Sequence, residues 1–358
     1  MVLQHLLRPA SAASLRAEPP APMFEPAPRY LPFSDGRYTV TARLRALGEA
    51  PPFQLDDRYL AYLTAKAANH RRARASYHLQ QGLSADLARA VAAFGARTLA
   101  TRHPWAFALE EGEAGWEFVN RLLGLTLTLD LAGGRVTAQR RIPPLLPEAA
   151  ALHADTDFTA LPPLEALALQ TQEDWAVVAR DPATGADTTP AIHVSFPSHW
   201  RPVDKIGRSF VAVHAPIPGI DPLLRAAPSL LETMVHRGPW ERFTWTLPRH
   251  PDLDEHLDVV AGRPKPVPRA AEAGASAWLR VERQVVQGFP EADGALFLIR
   301  LHITRLDEVV GDDPTAAASL ASAIRSKTEA QLAYKALDDW REPLLAYLDA
   351  IAAGPAGP

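Results

Sequence analysis

The spacing of apolar side chains divides the chain into a helical opening, a strand-rich middle and a helical close. Between 56 and 79, and again between 84 and 103, apolar residues recur three and four apart, the period of an amphipathic helix. Ser84 stands where an N-cap is expected, Leu87, Val91 and Phe94 share one face, and Pro104 stops the second run. The segment EAGWEFVNRLL, 113–123, reads as a third helix. The period then shortens to two. LTLTLDLAGGRVTAQRRI, 125–142, alternates on either side of a Gly-Gly pair and reads as a hairpin. A helical stretch at 162–171 leads into 173–200, two β-rich runs parted by a Pro/Gly loop, again a hairpin. The second half repeats the alternation. Ser209 to Ala215 is a short apolar, strand-like run, 221–237 is helical, 242–247 is a strand, and Pro248 to Ala275 is a long Pro-rich polar loop. The runs 275–290 and 294–306 form a hairpin turned at Pro290–Gly294, and 314–351 closes the chain as helix. The sum is α+β. Residues 1–30 read as an extended arm, partly disordered, 31–350 as one domain, and 351–358 as a flexible tail.

Composition narrows the chemistry. The 358 residues carry a formal net charge of −4, without the basic excess of a nucleic-acid binder. Only five of the 37 basic residues are lysine (Lys66, Lys205, Lys265, Lys327, Lys335), a bias that fits GC-rich coding. There is no cysteine, which removes disulfides, a thiol nucleophile, thiolate-bound zinc or haem, and iron–sulfur clusters. A metal held by this chain needs His or carboxylate. No apolar run reaches a membrane span and Met1 to Arg8 is too short for a signal core, so a cytoplasmic location is expected.

Motif scans for Walker, GxGxxG, HExxH and GxSxG patterns return nothing, and His193 and His199, six apart, do not suit one metal site. Three segments place chemistry in apolar surroundings. His214 follows the run 210–213 and precedes Pro216 and Pro218, which fix the backbone carrying it and suit it to ligation. A lone His on an apolar run is, by itself, more often a hydrogen-bonded core residue. In LRVERQ, 279–284, alternation puts Arg280, Glu282 and Gln284 on one strand face and Leu279, Val281 and Arg283 on the other. The bland reading is an edge strand with one solvated face. The functional one is an arginine gripping a carboxylate and a glutamate facing a cation. In ERFTW, 241–245, Arg242 and Thr244 share a face, and Trp245 reads as packing.

Taken in order, these blocks resemble the haem-dependent oxidative N-demethylase family, whose pattern is roughly FPSxW…KxG…IHxPVP, then RxNW, then LRxERQT…LPxTxAxxFxIR. Here they stand as FPSHW, DKIG and VHAPIPG within 196–219, RFTW at 242–245, LRVERQ at 279–284, FP at 289–290 and GALFLIR at 294–300. TQEDWAVV at 171–178 and RHPWAF at 102–107 extend the match, which covers about 100–300. The resemblance implies a PAS-like antiparallel sheet at about 150–305 that binds haem b, wrapped by N- and C-terminal helices. It implies monooxygenase-like oxidative N-demethylation of a small secondary amine such as dimethylamine, giving formaldehyde and the primary amine with O₂. Electrons would come from NADPH through separate FMN and [2Fe–2S] proteins, with tetrahydrofolate at the formaldehyde outlet. Carried over residue by residue, His214 becomes the axial haem ligand. Arg242 and Arg280 become catalytic candidates that polarise O₂ or meet propionates, and Glu282 a group that holds the substrate ammonium or takes its proton. Lys205, Arg283 and Trp245 join His214 as cofactor-binding candidates. Two departures stand out: Thr244 replaces the Asn of RxNW, and Val285 the Thr of ERQT. They leave a second reading open, a non-catalytic haem or small-molecule sensor or carrier on the same scaffold, and a third, a demethylase for a bulkier N-methyl or N-hydroxy substrate. The missing cysteines place the electron source in another polypeptide.

Overall fold

The computed structural model describes residues 19–354 apart from 21 and 312. Most of the expected arm and residues 355–358 of the expected tail lie outside the described residues. What is described of the arm lies on the body, with Glu25 bridged to Asp56 and the Ala27 amide donating to Asp57 (3.1 Å).

A short strand β1 (Arg45–Ala46) precedes helix α1 (Tyr59–Tyr77), which leaves helical geometry at Ala73 and ends in strand β2 (His78–Gln80). Helix α2 (Ala85–Arg102) is capped as its sequence predicts, with the Ser84 hydroxyl accepting from the Leu87 amide (3.3 Å). Four strands follow: β3 (Phe107–Gly112), β4 (Gly115–Asn120), β5 (Leu125–Asp130) and β6 (Arg135–Arg141). They form an antiparallel meander in chain order. The predicted β5–β6 hairpin is there, but the helix expected at 113–123 is β4. Trp116, Phe118 and Asn120 alternate along it, and Gly115 at φ 145° turns the chain in from β3. Over six residues the apolar spacing satisfied both periods, and pairing to β3 and β5 decided it.

Helix α3 (Pro163–Ala168) leads to the hairpin of β7 (Asp174–Arg180) and β8 (Asp187–His193), as expected. The apolar run before His214 is not a strand. It is helix α4 (Phe210–His214), capped by Ser209, whose hydroxyl accepts from the Ala212 amide (3.2 Å). A cap and one turn outweigh the β-branched valines in so short a segment. The helix expected at 221–237 is split at Ala226 into α5 (Asp221–Arg225) and α6 (Ala227–His236), where Pro228 opens a new first turn. Strand β9 (Trp240–Thr246), a single turn α7 (Leu257–Val260) inside the long loop, and the hairpin of β10 (Trp278–Phe289) and β11 (Gly294–Arg305) follow. The closing helix comes in pieces: α8 (Leu306–Val310), α9 (Pro314–Arg325), α10 (Glu329–Tyr334) and α11 (Arg341–Ala352).

The main sheet is antiparallel in the order β1-β9-β10-β11-β7-β8-β2. LRVERQ is therefore interior, flanked by β9 and β11, and the edge-strand reading fails. One sheet face packs Trp175, Val285, Leu296 and Leu298 against α1, α2 and the meander. The C-terminal helices bury Trp245, Leu279 and Val281 with Trp340 and Leu344. Among the described residues no helix is long and apolar enough to cross a membrane.

Candidate functional site

The other face of the main sheet is the floor of a cavity of about 540 Å³, inside the usual range for small-molecule sites. Strand alternation selects the residues that reach it. Arg242, Thr244 and Thr246 come from β9, Arg280, Glu282 and Gln284 from β10, Phe297 and Ile299 from β11, and Ala176 and Val178 from β7. The register pairs Glu282 with Thr244, Gln284 with Arg242 and Arg280 with Thr246, so polar residues of β9 and β10 stand side by side. The 198–200 segment, α4, the α4–α5 connection, the loop after β9, residues 37–43 and the end of α10 complete the wall. Much of it is apolar, including Ile192, Val194, Ile217, Ile220, Leu223 and Met234.

Glu282 is the one carboxylate among the described residues that line this space. Both its oxygens are held. The Ser198 hydroxyl donates to Oε1 (2.7 Å) and the Gln284 amide to Oε2 (2.7 Å). Ser198 is aimed by Arg280, whose Nε donates to its Oγ (3.1 Å). The rest of the Arg280 guanidinium is taken by the carbonyls of Asp252 (3.0 Å), Leu253 (2.9 Å) and Phe196 (3.2 Å), and Glu255 lies 3.6 Å from Nε. Arg280 is thus a positioning residue that ties the long loop to the floor. Beside it, Glu255 pairs with His199 (3.0 Å), which sits at φ 60°. Burial pushes the Glu255 carboxyl up, but the His199 hydrogen bond and the Arg280 charge outweigh it and hold the group below its ordinary value.

The cations around Glu282 are less satisfied. Arg242 keeps its Nε buried without a hydrogen-bond partner, and among the described residues no carboxylate pairs with it. Burial pushes its pKa down, while the charge of Glu282 opposes the shift. Lys205 lies with its ammonium 4.0 Å from the centre of the Trp200 ring, and burial brings it to about 8 against the pull of Glu282. At neutral pH it is still mostly a cation. Lys335, from the end of α10, is also pushed down by burial and feels Glu282 and Glu255.

His214 lines the same cavity from the last turn of α4. Its Nδ1 is 2.8 Å from the Phe210 carbonyl, which can only accept, so Nδ1 carries the proton and Nε2 keeps its lone pair. The ring rests on Phe210 (centroids 4.1 Å apart). Burial, helped by Lys205 and Arg242 and opposed by the Phe210 bond, lowers its pKa to about 4. The imidazole is neutral, oriented and, among the described residues, without a hydrogen-bond partner at Nε2, the state a metal-ligating histidine needs. Among the described residues no group of three or more His, Asp or Glu could hold an ion unaided, so His214 offers a single ligand.

The structure therefore brings His214, Lys205, Arg242, Arg280 and Glu282 to one cavity. Trp245 lines its edge and otherwise packs against Phe33 and Tyr38, with Lys327 above its ring. Arg283 is not brought there. It projects from the opposite face of β10, pairs with Glu241 and donates to the carbonyls of Pro51 (2.9 Å) and Pro52 (3.3 Å), tying the N-terminal segment to the back of the sheet. The two departures also separate: Thr244 faces the cavity beside Glu282, whereas Val285 is core on the far side. Sequence reading missed Ser198 and Gln284 as the clamps of Glu282, although both stood in quoted motifs. It had no signal for Lys335 or for residues 37–43, which reach the cavity only through tertiary packing. Compared with known families, residues 44–345 match the model described as haem-dependent oxidative N-demethylase, alpha subunit-like.

Proposed function

The chain belongs to the haem-dependent oxidative N-demethylase, alpha-subunit-like family, and from that premise we propose that its cavity binds haem b and removes a methyl group from a small secondary amine. The balance is R–NH–CH₃ + O₂ + 2e⁻ + 2H⁺ → R–NH₂ + CH₂O + H₂O, with dimethylamine as the simplest substrate. One observation carries the reading. A neutral histidine with a free Nε2 and a doubly clamped carboxylate line one apolar cavity.

The residues present fit the cofactor. The aliphatic wall suits a porphyrin, Lys205 with its ammonium over Trp200 suits a propionate, Lys335 offers a second cation, and His214 Nε2 suits the iron. We take the sheet and the elements over its cavity face as a PAS-like haem domain. When bound, haem supplies the activation of O₂. The protein does the rest. Phe210 fixes the tautomer and direction of His214 through its carbonyl. Ser198 and Gln284 hold Glu282 so that a lone pair on each oxygen stays available, and a secondary ammonium donates its N–H to Glu282. That contact aligns the N-methyl group, and Glu282 receives the proton when the amine must be neutral. The apolar wall keeps bulk water from the reacting carbon.

Without a cysteine, the chain ligates no iron–sulfur cluster through thiolates. The electrons therefore come from a separate protein, in our reading NADPH through FMN and [2Fe–2S] carriers, with tetrahydrofolate receiving the formaldehyde. The test is formaldehyde release from dimethylamine under O₂ by haem-loaded protein with a surrogate ferredoxin and reductase. Methylamine and formaldehyde formed one to one support the proposal. Reduced, haem-loaded protein that releases neither contradicts it and leaves the sensor or carrier reading, which the exchange of the family Asn for Thr244 favours.

A further inference from the structure

The cavity floor presents two opposite charges that do not neutralise each other. Glu282 and Arg242 lie on adjacent strands of one sheet face, one register step apart, since Arg242 opposes Gln284 and Glu282 opposes Thr244. Diagonal neighbours of this kind are near enough for long polar groups to interact. Here they feel each other's charge yet form no ion pair. Glu282 is drawn aside by Ser198 and Gln284, each at 2.7 Å, and Arg242 is left with a buried Nε that nothing satisfies. The contrast with the rest of the sheet is sharp. Arg280 is saturated, Arg283 pairs with Glu241, and Arg300, whose Nε is likewise without a hydrogen-bond partner, makes a two-pronged pair with Asp56 (2.8 and 2.9 Å), so Arg242 differs in lacking a carboxylate among the described residues. This fold pairs its buried strand arginines, and Arg242 is the exception that points into a cavity. A guanidinium that faces a cavity with its Nε buried and no acceptor is costly until an anion arrives.

We propose that the substrate is an amine that also carries a carboxylate, an N-methyl α-amino acid bound with its ammonium on Glu282 and its carboxylate on Arg242. The inference rests on the N-demethylase reading for the methyl group, but the charge pair that selects the ligand is independent of it. Such a zwitterion places its two charges across one carbon, matching a floor that offers both partners side by side. A guanidinium meets a carboxylate through two parallel hydrogen bonds, which a simple dialkylamine cannot use. Thr244, lying between the two charged residues on the β9 side, stops at its γ atoms where the family Asn would reach one bond further, and so leaves room above it for the added group.

The test compares N-methylglycine with dimethylamine by isothermal titration of the haem-loaded protein, the Soret band being recorded on the same samples. N-methylglycine should bind about tenfold or more tightly. In R242Q that preference should collapse towards one, and R242K, which keeps the charge but not the fork, should retain part of it. E282Q should weaken both ligands. Equal affinities in the wild type overturn the proposal, as does a preference that survives R242Q. So does an R242Q protein that loses haem while keeping the preference, because Arg242 then serves the cofactor. A missing Soret band with the preference intact contradicts the haem assignment alone. Unfolding midpoints of the variants confirm that each is folded.

Discussion

Glu282 means little in isolation, and its neighbours give it a direction. Ser198 donates to one of its oxygens and is itself fixed by Arg280. Ser198→Ala should therefore weaken amine binding about tenfold and cost about 1–2 kcal/mol of stability, since Arg280 Nε loses its acceptor as Oε1 loses its donor. Titration calorimetry and urea unfolding measure the two effects, and wild-type affinity in the variant would remove Ser198 from the site. At this scale much was legible. Strand alternation alone separated Arg280 and Glu282 from Arg283, and the structure keeps that separation. The motif grouped Arg283 with the cofactor, but its backbone parity places it behind the sheet. Alternation says which face a side chain takes, and only packing says what covers that face. For that reason the saturation of Arg280 by loop carbonyls and the solitude of Arg242 were invisible from spacing.

Elements were readable where they were long or capped. The β10–β11 hairpin and the Ser84-capped α2 follow their pattern over a dozen residues or more. β4 and α4 were misread because six or five residues satisfy either period, and pairing partners or a cap then decide. The edge strand β2 was hidden inside a helical pattern, and it carries a pH consequence. His78 on β2 faces His193 on β8, with ring centroids 5.6 Å apart. Both rings are buried, together with Lys66 and Glu165, beside the partly buried His70 and the exposed Arg74, which pairs with Glu165. Burial, reinforced by the neighbouring cations and opposed by Glu165, brings His193 to about 4 and His78 well below its ordinary value. Unfolded imidazoles titrate near 6.5, so below that pH the unfolded chain binds protons that the folded one refuses. The stabilisation is complete above about pH 6.5 and is lost as the pH falls towards 4. His153, at about 3, and His214, at about 4, add to the same slope. Urea midpoints should fall steadily from pH 6.5 to pH 4.5, and His78→Leu should flatten part of that fall. A midpoint constant over the interval would contradict this account.

The whole molecule assembles its cavity from distant parts of the chain. Residues 37–43, the 198–220 region, the main sheet, the long loop and the end of α10 all contribute to one wall. The sequence order of motifs identified the family, and the hydrophobic pattern gave an α+β class, yet neither showed that Lys335 returns to the site from the last helices. The absence of cysteine acts at this scale too, because in the proposed function it leaves the iron to a nitrogen or oxygen donor such as His214 and the electron supply to another protein. The central claim is that haem sits in this cavity on His214. Titrating the purified protein with haemin and following the Soret band tests it most directly. The account predicts saturation at one haem per chain, with the band lost or shifted in His214→Ala while that variant's unfolding midpoint stays near the wild type. No Soret band in the wild type, or an unchanged one in His214→Ala, would contradict it.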